Sequence, residues 1–247
     1  MKWRMKFGKI PQDKIVTSPF KGPNMKCKLT TQDMKTMAGT VNEVKWEIGK
    51  WVTANGSPNL GLCSTGYIHW YNDPIVAILL NPLHAHIRNP RLWEVETRGI
   101  EVEDNGLKFG STELRLIQEL TIPTISIEQY IKIALLCVKS VCSDQIFDIW
   151  LNNWIANVDR SLKAKYYILD YMHDMDIVVN DTYYFLLQEL IETSVFVSEK
   201  TNLDYPPDDT IFKYIIALLI VMSAEAAQMK SKKLNLIESV GKVMNYD

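Results

Sequence analysis

The stretch Leu62–Ile117 opens with LCSTGYIHWYNDPIVAILLNP, continues through HAHIRNPRLWEVETRG from His84, and closes with GSTELRLI from Gly110. Its periodicities decide the fold class. Asn72 or Asp73 can cap a helix, Pro74 suits the first helical position, and IVAILL supplies an apolar body that Pro82 is expected to stop after about two turns. RLWEVETRG then alternates: Trp93, Val95 and Thr97 take one face of a strand, and Glu94, Glu96 and Arg98 take the other. EDNGLKFG turns the chain, and TELRLIQEL forms the next strand with Thr112, Leu114 and Leu116 inward. Upstream of the helix, LCSTGYIHWY reads as a short strand interrupted at Gly66. A sheet carrying one packed helix follows.

Outward from this centre the two sides differ. Pro11, Pro19, Gly22 and Pro23 break every candidate run near the start, which leaves short strands or an extended arm. TTQDMKTM has room for one helical turn capped by Thr30 or Thr31. EVKWEIGKWVT alternates as a strand, with Val44, Trp46 and Ile48 on one face and Glu43, Lys45 and Glu47 opposite. ANGSPNLG is a turn cluster, read as a long hairpin connection.

Past Ile122–Pro123 the period becomes helical. Ser126 starts a helix with Glu128 and Gln129 in its first turn and a stripe of Ile127, Tyr130, Ile131, Ala134, Leu135, Val138 and Val141. A second, Asp144 to Ile155, buries Ile146, Phe147, Trp150, Leu151 and Trp154. A third starts near Asp159 with Leu162, Tyr166, Leu169 and Met172. A fourth, led by Asp181 or Thr182, carries Phe185, Leu186, Leu190 and Ile191. NLDYPPDDT is a loop before a fifth helix from Thr210 to Lys230, and LNLIESVGKVM is a short sixth or a frayed end. The expected fold class is α+β: a β-rich part over 1–122 with one short packed helix, a split sheet being one option, then an all-α subdomain over 123–247.

At 247 residues the chain can bury a sizeable core as one large domain or two small ones. A net charge of −2, with 47 % apolar and 23 % charged residues, gives no global pull toward nucleic acid or an anionic membrane. Cys27, Cys63, Cys137 and Cys142 form no CxxC pair, so free thiols in a reducing compartment are expected. MKWRMKFGK lacks a following apolar segment of signal-peptide length. The apolar run Tyr214–Ala224 is shorter than the roughly 20 residues of a bilayer span and reads as a buried helix of a soluble, intracellular protein.

Arg88, Arg91, Arg98 and Arg115 gather in a chain that otherwise prefers lysine. Arg98 and Arg115 share an outer strand face with Glu94, Glu96 and Glu113. Such a face is either a cross-strand ion-pair ladder or a surface for an anionic small molecule or an acidic partner, with Glu113 and Arg115 at its centre. Cys63, His69, His84 and His86 supply the donor types of a tetrahedral zinc site. The spacing of Cys63 and His69 is not a common knuckle, however, and Pro82 and Asn89–Pro90 put the other two in a loop. Ordinary hydrogen-bonded histidines are the plainer reading, and no metal is expected.

Trp150, Trp154, Tyr166, Tyr167, Tyr171, Tyr183 and Tyr184 fall at helical spacings and are mostly core, with some of Tyr167, Tyr171 and Tyr183 expected to be exposed, which leaves room for a partner surface. His173, beside Asp174 and Asp176, reads as a helix-end residue, and Lys230–Lys233 as a solvated helix end. No catalytic Ser/His/Asp order, metal-hydrolase motif, phosphate-binding glycine loop or nucleotidyltransferase carboxylate pair is evident.

The strings GKW (Gly49–Trp51) preceded by Trp46 and Glu47, LC..G..H (Leu62–His69), DPIVAILLNP, HAHIRNPRLWEVETRG and LKFGSTELRLI together resemble an uncharacterised family of bacteriophage and prophage proteins, over roughly Thr31–Glu119. The resemblance implies a phage or prophage origin and no particular activity. A looser likeness implies chemistry. GYIHWYNDPIVAILL has the strand-then-helix rhythm of mono-ADP-ribosyltransferase-like folds, which bind NAD between two small sheets. On that likeness Tyr67 matches the aromatic strand residue and Glu113 the late glutamate that stabilises charge as nicotinamide leaves. Arg4 is the available early basic residue, without a secure match. The first expectation is a phage-type accessory protein of the host cytoplasm. It would bind a host protein or an anionic small molecule stoichiometrically and without a cofactor, as a modulator of host enzymes or defence. The alternative is an NAD-dependent mono-ADP-ribosyltransferase-like enzyme.

Overall fold

A computed structural model describes residues 25–142, 144–174, 181–198, 209–229 and 234–244. Arg4, Asp176, residues 202–208 with the loop expected there, and Lys230–Lys233 lie outside them, as do the side chains of Met172, His173, Asp174, Tyr183 and Tyr184. The fold is α+β. Its first part contains β1 (Cys27–Thr30), β2 (Lys35–Thr36), β3 (Val44–Lys45), β4 (Val52–Thr53), β5 (Ile68–Trp70), α1 (Pro74–His84), β6 (Arg91–Asp104) and β7 (Lys108–Leu120). The main sheet runs β1-β6-β7-β4, with β5 also paired to β7, while β2 and β3 form a separate two-stranded ribbon.

The β6–β7 hairpin is the spine. Its turn is tighter than EDNGLKFG implied: Asp104 pairs with Lys108, and the Leu107 N–H donates to the Asp104 carbonyl at 2.8 Å. Asn105 and Gly106 both take positive φ, 48° and 75°. Asn-Gly tolerates that conformation, whose twist matches the strands it joins. Two cores form on the spine. Trp93, Val95, Leu114 and Leu116 meet Trp46, Ile68 and Trp70. Cys27, Leu29 and Leu92 belong to the other core, with Ile75, Val76, Leu79 and Leu80 of α1 and the apolar stripes of the later helices.

α1 starts as its cap dictates. The Asp73 carboxylate accepts from the backbone N–H groups of Ile75 and Val76 at 2.7 and 3.1 Å, and Pro74 follows it. Pro82 does not stop the helix, which continues to His84. Asn81 closes its end instead. The Asn81 carbonyl accepts from Ala85 and His86, and its side chain exchanges two hydrogen bonds with Ile87.

Three local expectations are corrected. EVKWEIGKWVT is two short strands, because Gly49, at φ 78°, turns the chain between them and leaves Ile48 57 % exposed. TTQDMKTM makes a turn, with the Met34 N–H on the Thr31 carbonyl, and then β2 rather than a helix. The ANGSPNLG connection does not close a hairpin; β4 and β5 both pair with β7, Val52 opposite Leu114 and Ile68 opposite Ser111.

The helical part contains α2 (Ile127–Val141), α3 (Gln145–Ile155), α4 (Leu162–Asp174), α5 (Asp181–Ser198), α6 (Asp209–Met229) and α7 (Leu236–Met244). Ser126 and Gln129 form a reciprocal capping box on α2, and Asp144 caps α3. On α4 the buried face differs from the expected stripe: Tyr166 is exposed, while Lys165 and Ile168 are buried. A lysine stem can cover apolar surface as an aliphatic residue does, which periodicity does not count. On α5, Phe185 is exposed and Leu186, Leu187, Leu190 and Ile191 are buried. α6 outruns its apolar run and is long and apolar enough to cross a membrane. Here it packs against α1, α2 and α5, burying Phe212, Ile216, Leu219 and Ile220.

Candidate functional site

The outer face of the spine carries a ladder of charge. Arg98 donates twice to Glu113, its cross-strand neighbour, at 2.9 and 2.6 Å. Arg115 donates from Nε to Glu96, also directly opposite, at 2.9 Å. Gln118 reaches Glu94 at 2.6 Å. Trp51, from the GKW string, lies against both arginines, its ring centroid 4.1 Å from the Arg98 guanidinium and 4.9 Å from that of Arg115. Strand alternation explains the placement. Val52 pairs with Leu114 and points into the core, so its neighbour Trp51 emerges beside Arg115 on the outer face.

The other two arginines stand apart from this ladder. Arg91 grips Glu119 through two bonds, of 2.8 and 2.6 Å, and its guanidinium lies 4.6 Å over the Trp93 ring. This pairing holds the Glu119 carboxyl below its ordinary range. Arg88 is exposed in the loop after α1. Farther away, Tyr166 and Tyr167 on α4 are exposed, while the Tyr171 hydroxyl donates to Asp144 at 2.9 Å.

A cleft of about 220 Å³ lies between the ribbon, β1 and the segment leading into β5. Cys63, Tyr67, His69 and His84 line it with Lys28, Trp46 and Tyr71; His86 and Glu113 do not. His69 Nε2 is 2.7 Å from the Leu62 carbonyl, which only accepts, so this nitrogen carries the proton. Burial lowers the His69 pKa. The His84 ring lies parallel to Tyr71 with centroids 6.3 Å apart. Burial, reinforced by Lys108 and His69, pushes the His84 pKa down to about 4, and its buried Nδ1 has no hydrogen-bond partner among the described residues. Cys63 Sγ accepts from Lys108 Nζ at 3.2 Å. His86 is exposed, with Nδ1 3.2 Å from the Pro82 carbonyl. Among the described residues no three His, Cys, Asp or Glu side chains gather as a metal cage.

Tyr67 and Glu113 are not brought into one cavity. The Tyr67 hydroxyl donates to the Pro58 carbonyl at 2.8 Å, whereas Glu113 is held by Arg98 outside the cleft. Two residues absent from the sequence-derived site stand at its two centres: Trp51 on the ladder and Lys28 in the cleft. The strand alternation around Val52 could have found Trp51. Nothing in CKLT marks Lys28, because all four residues of β1 are buried and period two does not show it.

No curated protein and no solved structure matches the chain. Residues 24–128 match a family model described as a domain of unknown function, DUF7666, and that segment carries the whole sheet, the ribbon, α1, the ladder and the cleft.

Proposed function

We propose that the chain acts by stoichiometric binding of a protein partner through the outer face centred on Trp51. The observation that supports this reading is the contact of one tryptophan ring with the guanidinium groups of Arg98 and Arg115, each tethered to its own glutamate. Tryptophan and arginine dominate binding energies at protein interfaces, and groups ordered before contact lose little side-chain entropy on docking. The exposed Tyr166 and Tyr167 offer a second aromatic patch. The resemblance to phage and prophage proteins supports a finer reading, a modulator of a host enzyme or defence system acting in the host cytoplasm. The ADP-ribosyltransferase reading has less support, since the Tyr67 hydroxyl and the Glu113 carboxylate each hold another partner.

Affinity capture from host lysate tests the proposal. The wild-type chain is expected to retain a protein that a Trp51→Ala, Arg98→Ala double variant loses, and its effect should end once that protein is in molar excess. Sustained release of nicotinamide from NAD, abolished by Glu113→Gln with the fold intact, would overturn it.

A further inference from the structure

Lys28 is a buried cation with no acidic partner among the described residues. It is 7 % exposed, in the middle of β1, and lines the cleft. Its ammonium donates to the His69 carbonyl at 2.7 Å and lies 5.4 Å from the centre of the Trp46 ring. An ammonium has three donors, so two remain for another acceptor. Among the described residues no acidic side chain lines the cleft. Burial alone acts on Lys28, lowering its pKa to about 8 with no carboxylate to raise it, so it is still mainly protonated at pH 7. A buried charge in that condition is unfavourable unless something of opposite sign arrives.

The surroundings favour the same kind of guest. Lys108, 8 % exposed, stands behind the cleft wall and donates to its lining residue Cys63, and its charge disfavours protonation of both His69 and His84. Its own counter-ion, Asp104, is 3.9 Å away and 40 % exposed. The buried, unpartnered Nδ1 of His84 can donate to an oxygen as the Nδ1–H tautomer. Leu29, Trp46, Ile68 and Tyr71 supply apolar wall. Ligand sites combine such walls with a few polar groups that fix orientation.

We infer that the cleft binds a small organic anion, a carboxylate or phosphate group on an apolar body, with Lys28 as the anchoring cation and His84 as a second contact. This site is separate from the Trp51 face and stands without it. Calorimetric titration of the full chain with benzoate, phenyl phosphate and inorganic phosphate tests it, the first two arms separating carboxylate from phosphate. At least one of the two aromatic anions should bind saturably at one site, with inorganic phosphate at least tenfold weaker. Lys28→Met, which keeps the aliphatic stem, should weaken that binding more than tenfold, and Lys28→Arg should retain most of it. A crystal structure with the bound anion should place its oxygens within hydrogen-bond distance of Lys28 Nζ, which checks the site even if a variant folds poorly. Absence of saturable binding to the wild type, unchanged affinity in Lys28→Met, equal affinity for inorganic phosphate, or an anion seated elsewhere would each overturn the inference.

Discussion

Asp73 sits fully buried at the point where β5 hands over to α1, and its carboxylate satisfies two N–H groups that the first helical turn leaves open. Asp73→Ala is expected to lower stability by about 1–2 kcal/mol in urea unfolding, and Asp73→Asn by less, because the amide oxygen can still accept. His84 makes stability depend on pH. Its folded pKa of about 4 lies below the ordinary 6.5, so between these values the unfolded chain binds a proton that the folded chain refuses. Its contribution is therefore complete above pH 6.5 and is lost as pH falls toward 4. His69, shifted in the same direction, adds to the loss. After allowance for solvent screening the His84 share is about 1 kcal/mol. Unfolding midpoints compared at pH 7 and pH 5 should show it, and His84→Gln should reduce the difference.

At the scale of elements the β6–β7 hairpin sets the geometry of everything attached to it. Its turn requires positive φ at Gly106, so Gly106→Ala should cost about 1 kcal/mol by thermal unfolding without changing the fold. The ladder on the same hairpin is a different matter. Its side chains are between 26 and 52 % exposed, and exposed pairs contribute little. Replacing Glu113 and Arg115 together by glutamine should change stability by less than about 1 kcal/mol. A much larger loss in chemical denaturation would mark the ladder as a structural network and remove its claim to be a binding face. Only part of this element was legible beforehand. The Trp93, Val95, Leu114 and Leu116 pattern identified the buried face, while the bulge between Arg98 and Glu101 left no trace in the alternation.

Across the whole molecule, one core joins Leu29, Leu92 and α1 to α2, α6 and α7. Ile75, Val76, Leu79 and Leu80 are buried in the core that α1 shares with those helices. A chain ending at residue 128 is therefore expected to aggregate or to lack a cooperative unfolding transition, because a large apolar patch is unstable in water. Co-expression with residues 126–244 should restore solubility, measured by size-exclusion chromatography. A soluble, cooperatively folding short chain would show that the sheet and α1 need no helical cover.

By itself the sequence determined the elements whose signals are local. The Asp73–Pro74 start of α1, the Ser126–Gln129 box, the alternation on β6 and β7 and the apolar stripes of α2 and α3 depend on neighbours a few residues apart. Tertiary structure decided what depends on distant pairing. The EVKWEIGKWVT run divides at the Gly49 turn, whose N–H bonds the Leu116 carbonyl, a contact that alternation cannot anticipate. The arginines separate into a ladder and the isolated Arg91–Glu119 pair because register, and not chain proximity, chooses their partners. Lys28 becomes a buried cation only when β1 docks on β6 and the ribbon folds over it, since burial of a charge is a property of the packed neighbourhood and leaves no period in the chain.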